Sequence, residues 1–531
     1  MDELITPADG SASPTQLSSC ANSVLDSIED TMGAKSRQWI ERQVPIFEAA
    51  LQPLFLSLPS QQGQLSQHVA RYALHRVFVD ERGWFIKSLE ESDLYSAPGT
   101  ASPASVLQKQ VPSRVEQKFH TCFKDGVCVK ELAVLAATLD SLVHHEVLER
   151  VIAVFKAHKL PLFGSVRMEQ MDQVLEQVMM SYILEEAGSP HAIEASVSGN
   201  VSISDRYPNW VELRSFLRNI EGIVRPSNSK RLKFDDLMDL VHELQVHFGR
   251  WQDGECQEQK VELHRMEIRE CAGHVNLRDF YAANLHQGKW QFSESMEYLR
   301  VVGALEESQP DSPRVILANY VQGPNNCVAS SRYYSQCCLN PCSSHLSKLE
   351  KAVAAPEVSP ELLKSAVVAV LPKPDAQDLW DRLWKIAQGG KVTLHGAPFA
   401  EWLHRAYPQD CPAPLVGSPK QERPREYMAR TGLSTDFPEE EMRSFVEQRP
   451  AHDEGVCELK WRTWDVLHQQ APSSARYLLA TKDQAVRVLE PWASVAGASG
   501  GVAILLAMMR FSLGAARKEQ CKSDFLATGS Y

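Results

Sequence analysis

The sequence predicts a mainly α-helical protein with two EF-hand-like helix-loop-helix pairs, a cysteine-containing helical module and a single C-terminal transmembrane helix. Three observations predict this fold class. Apolar residues recur at intervals of three or four along much of the chain, which is typical of helices with one buried face. Several cysteines crowd into one short stretch, and an uncharged apolar run lies near the C-terminus.

Length and charge limit the classes of protein to which the chain can belong. It has 531 residues, enough for about three or four domains with sizeable cores. It carries 55 basic and 67 acidic side chains, for a net charge of -12. Binding to nucleic-acid phosphates requires a local excess of cationic side chains, and no basic stripe supplies one. We therefore expect no nucleic-acid partner.

The N-terminal part divides into two predicted regions. Residues 1–35 are rich in Ser, Ala, Thr, Asp and Pro, and we expect a disordered segment there. The basic and apolar regions of a secretory signal peptide are not visible in it. Residues 36–95 form a predicted helical N-terminal region. Its first apolar stripe consists of Trp39, Ile40, Val44, Phe47, Leu51 and Leu54.

A helix-loop-helix pattern recurs from Val111 onward, at a spacing of roughly thirty to forty residues. The clearest unit runs from Cys256 to Leu285. Gly273 occupies its loop position six, Val275 position eight and Asp279 position twelve, which is the spacing of an EF-hand loop.

Three earlier units agree with that spacing in part. Their loops carry Leu232 with Asp236, Gly164 with Val166, and Asp125 with Gly126. We expect the four units to form two EF-hand-like pairs, one at 106–190 and one at 205–305.

The loops lack most of the oxygen ligands that calcium requires. Calcium takes six to eight oxygen donors, which an EF-hand loop supplies from positions one, three, five and twelve among others. In the clearest loop these positions hold Ile268, Glu270, Ala272 and Asp279. We therefore predict calcium-independent pairs that serve as interaction platforms. The alternative is a single weak divalent site that involves Glu270 and Asp279.

Nothing in the sequence supports an enzyme, and we expect neither catalytic residues nor a cofactor. The chain contains no phosphate-binding GxxxxGKS/T loop and no HExxH zinc motif. His144, His145 and Glu146 are adjacent on a predicted helix, so their side chains diverge. A solvated helix end is the expected setting for them. We expect His75, His242, His247 and His404 to be partly buried or on the surface.

Residues 312–415 form a predicted cysteine-containing helical module. Adjacent cysteines point in different directions, which suits two separate disulfides better than one metal ion. Free or buried thiols and a zinc site remain the alternatives. Disulfides would place the module in an oxidising lumen or outside the cell. The candidates for disulfide bonds are Cys327, Cys337, Cys338, Cys342 and Cys411.

Asn200 begins an Asn-Val-Ser sequon in a polar loop and is a candidate for N-glycosylation. This modification would also place the body of the protein in a lumen or outside the cell.

The C-terminal part reads as a polar stalk at 416–489, a transmembrane helix at 490–514 and a short basic tail at 515–531. The run from Trp492 to Met509 is uncharged and approaches the roughly 17–25 residues that span a bilayer. A buried soluble helix is the alternative. Small residues four apart would let membrane helices pack closely; they are Ala493, Gly497 and Gly501.

Six segments between residues 65 and 415 form a recognisable set: Ala70 to Arg76, Gly83 to Lys87, Glu131 to Leu139, Gly249 to Asp253, Gly288 to Glu294, and the cysteine motif Tyr333-Tyr334-Ser335-Gln336-Cys337-Cys338. Together they resemble a family of large protist proteins from dinoflagellates and related algae. The resemblance implies a secretory-pathway protein with a C-terminal membrane span, and it implies no activity.

Together these features predict a non-enzymatic, single-pass membrane protein that binds or scaffolds a protein or peptide partner. The body would be lumenal or extracellular. A cytosolic, tail-anchored body is the alternative, because no signal peptide is visible. The competing function is a calcium-responsive regulator with one weak divalent site.

Overall fold

The computed structural model describes residues 18–89, 102–183, 209–224, 231–286, 290–309, 311–327, 329–374, 377–415 and 421–448. The predicted mainly α-helical fold is confirmed. The helices are α1 (Ser19–Met32), α2 (Ala34–Ser57), α3 (Gln67–Arg82), α4 (Ser113–Cys122), α5 (Val129–Ala157), α6 (Met168–Ile183), α7 (Trp210–Val224), α8 (Phe234–Arg265), α9 (Leu277–Leu285), α10 (Met296–Val301), α11 (Leu317–Val321), α12 (Pro341–Val353), α13 (Pro360–Val370), α14 (Gln377–Lys385), α15 (Ala397–Ala406), α16 (Pro424–Thr431) and α17 (Glu439–Glu447).

The strands are short and lie mostly in the loops between helices. They are β1 (Ser60–Gln61), β2 (Gln64–Leu65), β3 (Trp84–Ile86), β4 (Ser165–Arg167), β5 (Arg231–Lys233), β6 (Glu267–Ile268), β7 (Cys271–Asn276), β8 (Leu305–Glu306), β9 (Arg314–Ile316), β10 (Ala329–Ser330), β11 (Tyr334–Gln336), β12 (Glu357–Val358) and β13 (Val392–Thr393).

Four antiparallel contacts join the helix-loop-helix units in pairs. In the first pair, α2–α3 and α4–α5, Leu65 and Val127 exchange two backbone hydrogen bonds of 2.9 Å. In the second pair, α5–α6 and α7–α8, Val166 of β4 lies opposite Leu232 of β5.

The third and fourth pairs repeat this arrangement. In the third pair, α8–α9 and α10–α11, Val275 of β7 lies opposite Val315 of β9. In the fourth pair, α12–α13 and α14–α15, Val358 lies opposite Val392. Each contact brings two aliphatic residues from separate loops together.

The observed pairing differs from the one predicted for 106–190 and 205–305. The loop before α6 pairs with the loop before α8, and the loop before α9 pairs with the one before α11. The reason is that α5 (29 residues) and α8 (32 residues) each belong to two consecutive pairs. In the first turns of α5, nearly every side chain from Leu132 to Leu139 is buried, so the helix packs on more than one side.

Three hydrophobic cores follow the order of the pairs. The first two pairs share one core, the third pair contains the second, and the fourth pair contains the third. Tyr334 of β11 belongs to the first core although it lies far along the chain. Gln336, two residues further on, lies opposite Trp84 of β3. The predicted cysteine motif therefore includes a strand that is buried among the N-terminal pairs.

Residues 19–32 form a helix, so the prediction of disorder for 1–35 is wrong in that part. The helix begins at Ser18, whose hydroxyl accepts a hydrogen bond from the Ala21 backbone N–H at 3.1 Å. Val24, Leu25 and Ile28 then fall on one buried face, because their spacing matches the helical repeat.

Residues 421–448 are docked on the third pair, so the predicted polar stalk is wrong over that range. Tyr427 of α16 and Met442 of α17 are both buried in the second core. The average composition there is polar, yet a few apolar side chains at helical spacing are enough to attach both helices.

The predicted transmembrane helix at 490–514 and the basic tail lie outside the described residues. Among the helices that are described, none is both long enough and apolar enough to cross a membrane.

Candidate helix-docking site

All five predicted disulfide cysteines are paired, which confirms that prediction and replaces the zinc and free-thiol alternatives at these positions. Cys327 pairs with Cys337 at a Cα separation of 4.0 Å, and Cys342 pairs with Cys411 at 4.7 Å. Cys338 pairs with Cys256 at 5.7 Å. Adjacent cysteines 337 and 338 therefore join different partners, as their diverging side chains indicate.

Two features of the disulfide pattern are not visible in the local sequence. Cys256 lies in the C-terminal half of α8, well before the cysteine cluster. The bond between Cys20 and Cys122 joins α1 to the end of α4. Cysteine partners are decided by proximity in space, which spacing along the chain does not reveal.

The predicted divalent-site residues do not come together as a ligand set. Glu270 is exposed in the turn between β6 and β7. Asp279 lies on α9 and pairs with its neighbour Arg278 at 2.9 Å. Among the described residues, no group of three or more His, Cys, Asp or Glu side chains is arranged to hold a metal ion.

Two acids that lie four residues after the paired aliphatic residue of their loop cap helices. The Glu131 carboxylate accepts a hydrogen bond from the Cys128 backbone N–H at 3.2 Å, and Asp236 accepts one from Lys233 N–H at 2.7 Å. Both acids are the third residue of their helix, the place of the acid in a capping box. In these two loops the acid therefore caps the N-terminus of the following helix.

The remaining predicted site residues lie outside the described part of the chain. They are the glycosylation candidate Asn200 and the membrane-packing candidates Ala493, Gly497 and Gly501.

Glu146 is not at a solvated helix end, which corrects that expectation. It is 4% exposed, and its carboxylate accepts a hydrogen bond from the Arg332 backbone N–H at 2.9 Å. His144 stacks on Trp39 with 4.0 Å between ring centroids. Burial lowers the pKa of His144 to about 4, and the neighbouring His145 contributes.

A buried polar cluster between α3 and the fourth pair resembles a catalytic arrangement but lacks the required geometry. His395 Nε2 lies 3.3 Å from Ser57 Oγ and 3.6 Å from Glu350 Oε1, while its Nδ1 faces Tyr72 OH at 3.4 Å. In a catalytic triad the serine and the carboxylate contact opposite ring nitrogens. Ser57 is also fully buried, so this cluster holds the interior together.

Burial lowers the pKa of His395 to about 3, and the charge of Arg76 contributes. The imidazole is therefore neutral near pH 7, and it can join the cluster without adding a buried positive charge.

The α9 face, which we define as Arg278, Tyr281 and Asn284, holds helix α17. These residues are spaced by three and therefore lie on one side of α9. The Tyr281 ring packs between Phe437 and Phe445, with ring centroids 5.2 and 5.4 Å away.

Polar contacts orient α17 on this face. Asn284 Nδ2 donates a hydrogen bond to the Met442 sulfur at 3.4 Å. Arg278 Nε donates one to the Val446 carbonyl at 3.3 Å. That carbonyl belongs to the last turn of α17, where a cation interacts favourably with the helix dipole.

The segment before α17 is held by backbone pairing. Glu294 and Asp436 form an isolated antiparallel bridge. The Ser295 N–H donates to the Thr435 carbonyl at 2.7 Å, and the Phe437 N–H donates to the Ser293 carbonyl at 2.6 Å. This bridge places Phe437 beside the α9 face.

Glu294, at the centre of that bridge, is a half-buried residue. The Tyr320 hydroxyl lies 2.9 and 3.0 Å from its two carboxylate oxygens, and the Tyr281 hydroxyl donates to its backbone carbonyl at 2.9 Å. Burial, with a contribution from the nearby Asp436, raises the pKa of Glu294 to about 7.

Helix α16 extends the contact to the other side of the third pair. The rings of Tyr427 and Tyr298 lie 5.1 Å apart, and the Tyr298 hydroxyl donates to the Glu422 carbonyl at 3.0 Å.

The sequence analysis does not predict the docking of α17 on the α9 face, although the sequence contains a pattern that indicates it. Met442, Phe445 and Val446 lie at positions i, i+3 and i+4 of a short amphipathic helix. The surrounding Glu and Arg residues hide this pattern in an average over the whole segment.

Comparison of the chain with protein-family models, with curated proteins and with solved structures finds no match in any of the three. The functional argument therefore depends on the residues and contacts described above.

Proposed function

We propose that this protein is a non-enzymatic, membrane-anchored binding or scaffold protein that uses calcium-independent, EF-hand-like pairs as interaction platforms. One observation carries the proposal: four pairs of loops meet through antiparallel aliphatic residues. In seven of the eight loops the next helix begins two residues after the paired aliphatic residue. This regular geometry supports a repeated EF-hand-like unit.

The ligand positions of the loops support calcium independence. With the paired aliphatic residue counted as position eight, positions one, three and five of the eight loops hold one carboxylate, Glu270. Apart from Gly389, the other positions hold apolar, hydroxyl, amide or basic side chains and the disulfide-bonded Cys122. Lys159, Lys351 and Lys385 occupy position one of three loops. Calcium requires several carboxylate and carbonyl oxygens.

The attachment of α17 to the α9 face supports binding of helical segments. An amphipathic helix laid on an apolar surface is a common mode of peptide recognition. Here the chain's own helix occupies such a surface on the third pair.

The disulfides support an oxidising compartment for the body of the protein, because they persist mainly outside the cytosol. The anchor is proposed from the uncharged run at 490–514 and from the resemblance to membrane-anchored protist proteins.

Calcium titration of the whole chain tests the proposal against the calcium-responsive alternative. We expect no heat of binding and the same amide hydrogen exchange with calcium as with a chelator. A site with a Kd of roughly 10⁻⁵ M or below, lost in Glu270→Gln, would favour the regulator. Glu258→Gln, an acid within α8 rather than in a loop, is the control variant.

A further inference from the structure

Helix α17 is a small element whose attachment depends on few contacts. It has nine residues, of which Met442 is fully buried. Helices of this length are marginal in water by themselves, so α17 is helical because the third pair holds it. Local opening of such an element requires much less free energy than unfolding of a core.

We propose that the α9 face is an exchangeable docking site for an amphipathic helix of a partner protein, with large apolar residues at positions i, i+3 and i+4 and acidic residues in its first turn. The inference rests on the proposed scaffold function and names the class of ligand. In the structure α17 occupies the site as the internal competitor.

The apolar part of the ligand class follows from the ring contacts. The Tyr281 ring is tilted by 34° against the ring of Phe437 and makes an edge contact with Phe445. Aromatic pairs add about 0.5–1.5 kcal/mol beyond burial. Met442 fills the space between Asn284 and the second core. A helix with large apolar side chains at the places of Met442, Phe445 and Val446 reproduces the contacts that α17 itself makes.

The N-to-C direction of the ligand helix on the α9 face follows from Arg278. Its guanidinium donates to a carbonyl in the last turn of α17, so it faces the negative end of the helix dipole. The first turn of α17 carries Glu439, Glu440 and Glu441, which suit the positive end. A helix in the opposite orientation would place its N–H groups against Arg278.

The covalent link between α17 and the rest of the chain limits how often the α9 face is open to a partner. A segment linked to its own binding surface has an effective concentration on the order of millimolar. A partner therefore binds only to the fraction of molecules in which α17 is detached, and its apparent affinity falls by that fraction.

The test uses the full chain and a fluorescent synthetic peptide of residues 434–448. The double variant Met442→Asp with Phe445→Asp detaches α17 and uncovers the site. We expect the uncovered chain to bind the peptide with a Kd roughly tenfold or more below that of the wild type. A peptide of the same composition in scrambled order should not bind.

Two matched variants locate the binding. Arg278→Glu in the uncovered chain should raise the Kd about tenfold, because a carboxylate then faces the helix C-terminus. Arg443→Ser changes a solvent-facing residue of α17 that pairs with Glu439, and it should bind the peptide as weakly as the wild type.

Several results would overturn the proposal. One is an uncovered chain that keeps its helical circular dichroism and its disulfides but does not bind the peptide. Another is peptide binding by the uncovered chain with a Kd that Arg278→Glu leaves unchanged. If the wild type forms dimers and the uncovered variant does not, the α9 face binds α17 of a second copy of the chain instead of a partner protein. None of these results depends on calcium, so they are distinguishable from failure of the scaffold proposal.

Discussion

Arg76 and Glu350, which lie 274 positions apart in the chain, form an ion pair inside the protein at 3.2 Å. The side chains are 2% and 4% exposed. Arg76 also donates to Tyr72 and Ser347. This contact joins α3 of the first pair to α12 of the fourth pair, so buried charge holds these two pairs together.

Replacement of Arg76 by Met should strongly destabilise the protein. Burial raises the pKa of Glu350 and Arg76 opposes that shift, so the variant leaves an uncompensated carboxyl in the interior. We expect a loss of about 3–5 kcal/mol in the free energy of unfolding, measured by urea denaturation. Arg300→Met is the matched control, because its ion pair with Glu307 is exposed and is worth about 1 kcal/mol at most. Equal losses in the two variants would contradict this expectation.

Docking of residues 434–448 should weaken as the pH rises toward 7. The folded protein holds the proton of Glu294 up to a pKa of about 7, against an ordinary value of 4.5. The folded state therefore binds more protons than the unfolded state between these values, and stability falls with rising pH in that window, by at most about 1.4 kcal/mol per unit.

Hydrogen exchange of the amides in 434–448 at several pH values measures the effect, after correction for intrinsic exchange rates. Glu294→Gln should remove the pH dependence and keep the segment protected. Glu307→Gln should keep it, because Glu307 lies on the surface beside Arg300. Protection that does not change between pH 5 and pH 8 in the wild type would contradict the assignment.

Loss of the bond between Cys256 and Cys338 should cost more stability than loss of the bond between Cys327 and Cys337. The bonds close loops with sequence separations of 82 and 10 residues. Chain entropy predicts about 4.5 kcal/mol for the longer loop and about 2.7 kcal/mol for the shorter one. Each bond is removed by replacing both cysteines with Ser, and unfolding in urea is compared.

Peptide mapping by mass spectrometry without reduction checks the pairing itself. We expect linked peptides that join Cys342 to Cys411 and Cys20 to Cys122, in addition to the two bonds above. A link between Cys337 and Cys411 would be inconsistent with the structure, and so would a reduced cysteine at any of the eight positions that these four bonds join.

Two glycines of the same helix should respond in opposite ways to replacement by Ala. A Cβ at Gly249 would clash with Gln336 Nε2, whereas a Cβ at Gly254 would meet nothing within 4 Å. Gln336 is buried and bonded to Tyr182, so it has little room to move.

We expect Gly249→Ala to destabilise by about 1–3 kcal/mol and Gly254→Ala to stabilise by about 0.5–1 kcal/mol. Thermal unfolding of the two variants measures the difference. Stabilisation by both would show that β11 does not pack against α8 as described.

The local sequence pattern was enough to predict the mainly helical fold class and the formation of disulfides by the cysteines. Helix α2 follows from the spacing of residues such as Ile40, Val44 and Phe47, and the observed helix agrees with the prediction to within a few residues. Adjacent Cys337 and Cys338 point apart because of backbone geometry, so separate disulfides could be inferred without a structure. Both features depend on residues that are close in sequence.

Contacts between distant segments could not be read in this way. Val166 pairs with Leu232 rather than with the loop of the preceding unit, because α5 and α8 are buried on several sides and each belongs to two pairs. Helix α17 is mostly charged, and its burial depends on Tyr281, which lies more than 150 positions earlier. Apolar periodicity reports which face of an element is buried, and only the folded chain selects the surface that buries it.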